Sequence, residues 1–441
     1  MSDSNKSQRK LFKNATWLFG GKSASGIFTA IQTVIVARML GVTDYGLLTL
    51  VIAYISVLNM FFDLKVWETA TKYIGTYLEK GETDKTLSMI KLSYILDIGS
   101  GIIAFIIALL SAKLISTYII HTPDAYVLIW IFSIGLFIDT ANSTSDAILR
   151  VFDRFKSIAF INSFQKLFRL VVVVGLLFAG FGIKGVLYGF IIASFIGFAI
   201  RMRFVLKTLY DNNLQGWLSA DLGIIRTEWK EIAWFLGNTS FIATLKTGSD
   251  RYLGVMILGF FAGKDAVAYY KIASTVASTM NKVVDPLYEA IYPELVKFTS
   301  SNAITDFKKM IKKTTRSLTL IITPITVLII IFAEPIIRIV FGAGYLPATN
   351  ALRILTLSVL TIRFTFWINP ALLAMARPGL RTVLEVIATS AYLILMFVLV
   401  PLYSYIGAAI AFLGYAVLRS VLAIKFYNDA LKSENVRIEE Q

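Results

Sequence analysis

Long apolar stretches recur from one end of the chain to the other, and they constrain its fold more than any other feature. A membrane-spanning helix needs about 20 mainly apolar residues, and about twelve stretches have that length. The chain is 56% hydrophobic and 16% charged. We therefore expect an all-α polytopic membrane protein. The predicted spans are Ala15–Leu40, Tyr45–Phe62, Leu92–Ile115, Ala125–Leu149, Ser157–Ala179, Ile183–Phe204, Ile232–Phe261, Val267–Tyr292, Ser317–Phe332, Leu352–Met375, Val383–Leu402 and Ile406–Phe426.

The loops between these spans carry a charge bias. The formal net charge is +15, and most lysines and arginines fall in every second connection, above all in the predicted loops Asp63–Lys91 and Lys297–Arg316. Cytoplasmic loops of membrane proteins are enriched in Lys and Arg. The pattern predicts a multi-pass protein of the cytoplasmic (inner or plasma) membrane, with both termini cytoplasmic. It also accounts for the positive charge without a nucleic-acid partner.

Residue types and motifs argue against an enzyme or a metalloprotein. The chain has no cysteine, and its one histidine, His121, lies in a predicted loop. The phosphate-binding motif GxxxxGK[ST], the zinc motif HExxH and the nucleophile motif GxSxG do not occur. We expect no enzymatic activity, no metal and no cofactor other than a coupling proton or sodium ion.

The two halves of the chain resemble each other at an offset of roughly 220 residues. Trp17–Gly20 corresponds to Trp234–Gly237, and Leu40-Gly41 corresponds to Leu258-Gly259. Repeats with six spans each have the same orientation, so they predict two lobes related by a pseudo-two-fold axis along the membrane normal. The predicted parts are an N-terminal six-helix lobe of residues 1–206, a cytoplasmic linker of residues 207–230 and a C-terminal six-helix lobe of residues 231–441.

Several ionisable residues lie inside the predicted spans. A charge within a membrane helix is costly and is usually functional. Cations from the first, fifth, seventh and tenth spans therefore predict a shared aqueous cavity. The candidate substrate-binding cations are Lys22, Lys166, Arg169, Lys246, Arg251 and Arg363, and the candidate ion-coupling carboxylates are Asp97, Asp139 and Asp250.

A cationic cavity implies an anionic ligand. Arginine binds phosphate through two parallel hydrogen bonds, and lysine binds it as a point charge. Buried carboxylates near such cations are candidate proton or sodium sites. A structural alternative stays open, because Lys246 with Asp250, or Asp139 with Lys166 or Arg169, could form ion pairs that only fix the packing.

Several motifs resemble one family in their order along the chain. The first two spans contain Arg38, Leu40-Gly41 and Tyr45-Gly46, and the second half contains Asp250-Arg251, Tyr269, PLYEAIYPEL and FGAGYLPATNALRIL. This arrangement resembles the polysaccharide-biosynthesis flippases. They are the O-antigen-type lipid-linked oligosaccharide translocases of the multidrug/oligosaccharidyl-lipid/polysaccharide superfamily.

The resemblance implies a MATE-like fold with a cation-lined lumen. It also implies a flippase that moves a polyprenyl-diphosphate-linked glycan to the outer leaflet by alternating access, with membrane lipid and glycan-assembly proteins as further partners. The alternative within the same superfamily is a proton- or sodium-coupled multidrug exporter. Such exporters rely on acidic cavity residues, so the excess of deep cations counts against this alternative. A third possibility is a scaffold of a glycan-assembly complex that transports nothing itself.

Overall fold

The computed structural model of the chain is all-helical in the part it describes. The described residues are 3–64, 66–248, 251–281, 291, 294–299, 303–375 and 377–439. Side chains are described in the same ranges except in 3–19, 241–248, 251, 304, 378 and 432–439.

The described residues group into two compact units. The first contains the chain up to Leu40 and Val51–Thr247, and the second contains Gly41–Leu50 and the chain from Gly248 onward. The early helices are α1 Asp3–Phe62, α2 Val66–Glu79, α3 Thr83–Tyr118, α4 Tyr126–Val151, α5 Phe155–Phe178, α6 Gly182–Asp211 and α7 Trp229–Gly248. The later helices are α8 Arg251–Ser278, α9 Ile304–Ile331, α10 Ala333–Val340, α11 Ala348–Phe364, α12 Ile368–Ala374 and α13 Pro378–Glu439.

The helices agree with the predicted spans in most places. Among the described residues, nine helices are long and apolar enough to cross a membrane. Two of them hold two predicted spans each, because α1 changes direction at Gly41 and α13 changes direction at Ser404. The chain is therefore a polytopic helical membrane protein, as the sequence predicts.

Glycine marks corresponding breaks in α1 and α8. Gly41 has φ 74° and ψ −179°, and Gly263 has φ 77° and ψ −179°. Side chains other than hydrogen essentially exclude this conformation. The sequence repeat pairs Gly41 with Gly259, whereas the structure places the break of the second half at Gly263. Position 259 needs glycine for a different reason, since a Cβ atom there would lie 2.2 Å from a methyl carbon of Leu50.

Two predicted charged loops are instead helical. Most of Asp63–Lys91 forms α2 and the start of α3, and much of Lys297–Arg316 forms the first part of α9. Both stretches are amphipathic. In α2, Val66, Ala70 and Tyr73 are buried at helical spacing. Burying one apolar face stabilises a helix whose other face is charged, so a high charge content here does not indicate a loop.

The predicted tenth span, Leu352–Met375, is interrupted. It consists of α11 and α12, separated by a turn at residues 365–367. Pro370 explains the interruption, because proline has no N–H for the residue four positions earlier and its ring clashes with that carbonyl. Arg363 therefore lies in the last turn of α11 and not in the middle of a continuous helix.

The segment 207–230, predicted as a linker, is folded against the first unit. Residues up to Asp211 extend α6, and short 3₁₀-helices follow at Gln215–Ser219 and Leu222–Glu228. Trp217 is buried with its ring centroid 5.0 Å from that of Tyr94. The apolar residues of this segment stabilise its folded conformation because they are buried in the core of the first unit. The lobe boundaries at 206 and 231 stay a prediction.

Charged groups fasten the end of this segment to α2 and α3. Glu228 accepts hydrogen bonds from Tyr77 at 2.5 Å and from Lys85 at 2.8 Å, and Glu231 accepts one from Tyr73 at 2.8 Å. The bonds from Lys85 and Tyr77 stabilise the ionised carboxylate, so they lower the pKa of Glu228.

We expect Glu228→Gln to lower the apparent melting temperature of the purified protein at neutral pH. Hydrogen bonds to a charged group contribute about 1.5–3 kcal/mol. Because the folded-state pKa of Glu228 is lowered, its contribution is complete above the unfolded pKa and is lost as the pH falls through the folded pKa. The apparent melting temperatures of wild type and variant are therefore expected to become equal as the pH is lowered into the acidic range. The control is Glu79→Gln, which changes an exposed glutamate. A difference in melting temperature between wild type and Glu228→Gln that stays constant at every pH would contradict this account.

Candidate functional site

A polar cavity of about 300 Å³ lies within the first unit. It is formed by α4, α5, α6 and the part of α1 that follows Val51. Its polar lining consists of Ser56, Asn59, Asp139, Asn142, Gln165, Lys166, Arg169, Ser194 and Arg201. Such a group of polar side chains in the middle of membrane helices is expected only where they face a cavity or one another.

Helical periodicity brings these side chains together. Asp139, Asn142 and Asp146 recur on one face of α4, and Lys166 and Arg169 lie one turn apart on α5. A glycine on α6 supports the arrangement. A Cβ atom at Gly197 would lie 2.6 Å from Cδ of Gln165, so only glycine lets α6 approach the cavity face of α5 this closely.

Arg201 is fully engaged by its neighbours. Its side chain donates from Nε to Asp146 at 2.8 Å, from Nη1 to Asn142 at 2.7 Å and from Nη2 to Asn162 at 2.7 Å. The residue is only 3% exposed. Arg201 thus ties α6 to α4 and α5, and the ion pair with Asp146 neutralises its charge.

Arg169 presents a different arrangement, because part of its guanidinium stays open. Nε donates to Oε1 of Gln32 at 2.9 Å, and the group lies 4.5 Å from the ring centroid of Phe190. The terminal nitrogens Nη1 and Nη2 have no hydrogen-bond acceptor among the residues that the structure describes. Gln32 and Phe190 therefore fix the plane of the guanidinium, while its two outer nitrogens remain available to a ligand.

Lys166 is also available to a ligand. Within the described part of the chain its ammonium makes no ion pair within 4 Å and no hydrogen bond. Asp139 is exposed to the cavity and forms no ion pair within 4 Å with a described residue. The predicted ion pair of Asp139 with Lys166 or Arg169 is therefore not formed. With Arg201 neutralised by Asp146, two open cations face one carboxylate, and the cavity favours an anion.

The remaining predicted residues lie elsewhere. Lys22 is exposed and does not line the cavity. Asp97 is 2% exposed and does not line the cavity. Its carboxylate accepts two hydrogen bonds from Thr144, one from the backbone N–H at 2.8 Å and one from the hydroxyl at 2.6 Å. In the second unit, Arg363 donates to Asn281 at 3.1 Å. The side chains of Lys246 and Arg251, and the whole of Asp250, lie outside the described residues.

Three charged side chains with little solvent exposure are not among the predicted site residues. Arg201 lies on α6, and Arg419 and Glu385 lie on α13 in the second unit. Arg419 donates to Glu385 at 2.7 Å, and Tyr415 donates to the same carboxylate at 3.2 Å. A usable signal was present, because Arg201, Glu385 and Arg419 all fall within predicted spans. The sequence does not show which residue pairs with each of them, because that partner lies in another predicted span.

Solved structures show that this fold is known. The chain has a TM-score of 0.73 to a multidrug resistance MATE family transporter of the MOP superfamily in an inward-facing conformation, with 13% identity and coverage of 93% of this chain and 95% of that one. The lipid II flippase MurJ in an inward closed conformation gives a TM-score of 0.72 and 16% identity, with coverage of 94% and 90%. The predicted MATE-like, all-helical fold is confirmed.

Curated proteins are similar to the chain in sequence. The inner membrane protein YghQ of Escherichia coli K12 is 21% identical over 77% of this chain and 95% of its own length. A putative O-antigen transporter of the same organism is 28% identical over 43% of this chain and 44% of its own. The probable low-salt glycan biosynthesis flippase Agl15 of Haloferax volcanii is 27% identical over 40% of this chain and 39% of its own.

A family model described as polysaccharide biosynthesis protein matches residues 35–350. That range covers well over half of the chain and includes the cavity of the first unit. The match agrees with the order of motifs along the sequence and with the MATE-like fold. The chain therefore belongs to the polysaccharide biosynthesis protein family, as a multi-pass membrane protein.

Proposed function

We propose that this protein flips a polyprenyl-diphosphate-linked oligosaccharide from the cytoplasmic to the outer leaflet for cell-surface glycan synthesis. The observation that carries the proposal is the pair of open cations, Lys166 and Arg169, in the cavity of the first unit. The outer nitrogens of Arg169 fit two oxygens of one phosphate, and Lys166 adds a point charge for the other. Two relatives, named as a putative O-antigen transporter and a probable low-salt glycan biosynthesis flippase, support the same substrate class.

The size of the cavity suggests which part of the substrate it holds. About 300 Å³ is at the small end of ligand pockets. We propose that it receives the diphosphate and the sugar next to it, while the lipid tail stays among membrane lipids. In this proposal both termini are cytoplasmic, and Lys22, Lys246, Arg251 and Arg363 contact the substrate elsewhere on its path.

Energy for the cycle is proposed to come from a proton or a sodium ion. Asp139 faces the cavity beside Lys166, so its charge state affects how strongly the cavity holds an anion. Asp97 is buried without a cation within 4 Å among the described residues. A buried carboxylate of this kind is costly unless it is protonated or holds a cation. Asp97 and Asp250 are therefore proposed as further coupling sites.

Transport in proteoliposomes tests the proposal. The probe is a synthetic polyprenyl diphosphate that carries a fluorescent N-acetylhexosamine, and a membrane-impermeant quencher reports its leaflet. We expect the protein to speed the exchange of this probe between leaflets and to leave a fluorescent organic cation untransported. Transport of the cation alone would favour the multidrug exporter, and transport of neither with retention of a glycosyltransferase would favour the scaffold.

A further inference from the structure

The first part of α9 carries a stripe of cations on its exposed side. Lys308, Lys309, Lys312, Lys313 and Arg316 are all exposed, and we call these five residues the basic stripe. Phe307, Ile311 and Leu318 are buried on the opposite side of the same helix. One acid faces the stripe, since Asp306 lies 3.5 Å from Lys309. The other four cations make no ion pair with a residue that the structure describes.

The face that carries the basic stripe continues into an apolar face. Lys309, Lys313 and Arg316 are followed at helical spacing by Leu320, Val327 and Ile331. These three apolar residues are 67%, 47% and 61% exposed, within a helix that is apolar enough to span a membrane. Residues of this kind face lipid tails. The cations therefore lie directly beyond the hydrocarbon region on one helix face.

Helix geometry decides which cations reach the lipid headgroups. At 1.5 Å per residue, Arg316 lies about 6 Å from Leu320 along the axis, Lys313 and Lys312 about 10–12 Å, and Lys308 and Lys309 about 16–18 Å. A headgroup layer is about 5–8 Å thick, and its surface potential extends about 8–10 Å further. Arg316, Lys313 and Lys312 thus lie within reach, whereas Lys308 and Lys309 are at the limit.

We propose that the basic stripe binds the headgroups of anionic phospholipids in the leaflet at this end of α9. Charge complementarity supports this occupant, and the continuity with the lipid-facing residues places it in the membrane rather than on a soluble partner. Clusters of four to eight Lys and Arg beside a membrane helix are the usual signature of such binding. The proposal is independent of the transported substrate, because the stripe is on the exposed side of α9 and does not line the cavity of the first unit.

The test is native mass spectrometry of the full-length protein with phosphatidylglycerol or phosphatidylcholine. We expect wild type to retain phosphatidylglycerol preferentially. In the triple variant Lys312→Gln/Lys313→Gln/Arg316→Gln, the dissociation constant for phosphatidylglycerol rises at least about tenfold, since one cation near an anionic surface changes affinity about fivefold. The constant for phosphatidylcholine stays the same, which shows that the variant is folded.

Two controls separate the stripe from general effects of charge. The charge-retaining variant Lys312→Arg/Lys313→Arg/Arg316→Lys keeps wild-type selectivity. The variant Lys80→Gln/Arg226→Gln also keeps it, although it removes exposed cations of the first unit. The proposal is wrong if the triple variant binds phosphatidylglycerol as tightly as wild type, or if the first-unit control loses binding equally. Capture of an acidic polypeptide without selectivity for phosphatidylglycerol would also overturn it.

Discussion

Substituting both open cations, Lys166→Gln with Arg169→Gln, is expected to reduce translocation of the diphosphate probe by at least about 100-fold. A hydrogen bond to a charged group is worth about 1.5–3 kcal/mol, and every 1.4 kcal/mol changes an equilibrium tenfold. The double variant removes at least two such bonds. The measurement is the rate of probe exchange in proteoliposomes at matched protein content.

The same double variant is expected to fold as well as wild type. Neither cation forms an ion pair within 4 Å among the described residues, so their neutral replacements break no salt bridge. Burying an unpaired charge is itself unfavourable, and the apparent melting temperature stays the same or rises. Lys184→Gln, an exposed cation at the start of α6, is the transport control. An unchanged rate in the double variant would exclude the cationic cavity as the diphosphate site.

Conservative exchanges distinguish the shape of the guanidinium from its charge. Arg169→Lys keeps the charge but removes the two parallel nitrogens that fit one phosphate. We expect it to lose most of the rate that Arg169→Gln loses, whereas Lys166→Arg retains transport because a point charge suffices there. If both exchanges behaved alike, Arg169 would act through charge only.

Substituting the engaged arginine, Arg201→Gln, is expected to destabilise the protein strongly. Removing one partner of a buried ion pair costs about 3–5 kcal/mol, because the other charge is left uncompensated. Here Asp146 loses its counterion, and Asn142 and Asn162 lose a donor. We expect a lower apparent melting temperature and less monomeric protein after solubilisation.

A second substitution tests the reason for this loss. Arg201→Gln/Asp146→Asn leaves no uncompensated charge, so it is expected to recover most of the stability. Arg203→Gln, an exposed arginine two positions further along α6, is the matched control and is expected to melt as wild type does. Arg201 would be a ligand-binding residue rather than a structural one if its loss stopped transport without lowering the melting temperature.

The contrast between Arg169 and Arg201 explains how one cavity can be stable and still be able to bind a ligand. Both arginines belong to helices of the first unit and both line the cavity. Arg201 uses three nitrogens on protein acceptors, whereas Arg169 uses one and rests on Phe190. The engaged arginine fixes the helices, and the partly engaged one is held in place for a ligand.

The sequence by itself determined the class of the protein and most of its helices. Hydrophobicity and length define a membrane span without reference to other residues, so α3, α4, α5 and α6 were predicted close to their observed positions. Charges inside predicted spans are also visible in the sequence, among them Lys166, Arg169 and Asp139. The roles of all the predicted site residues stay predictions.

Only the tertiary structure decided which charges are engaged and which segments fold. Arg169 and Arg201 look equivalent in the sequence, and the difference between them is that Asp146 on α4 is within reach of only one. The polar residues of segment 207–230 are visible in its own sequence and indicate a linker. The burial of Trp217 depends instead on Tyr94 of α3, which is far away in the sequence. Hydrophobicity is a property of each residue, whereas neutralisation and packing depend on partners brought together from distant parts of the chain.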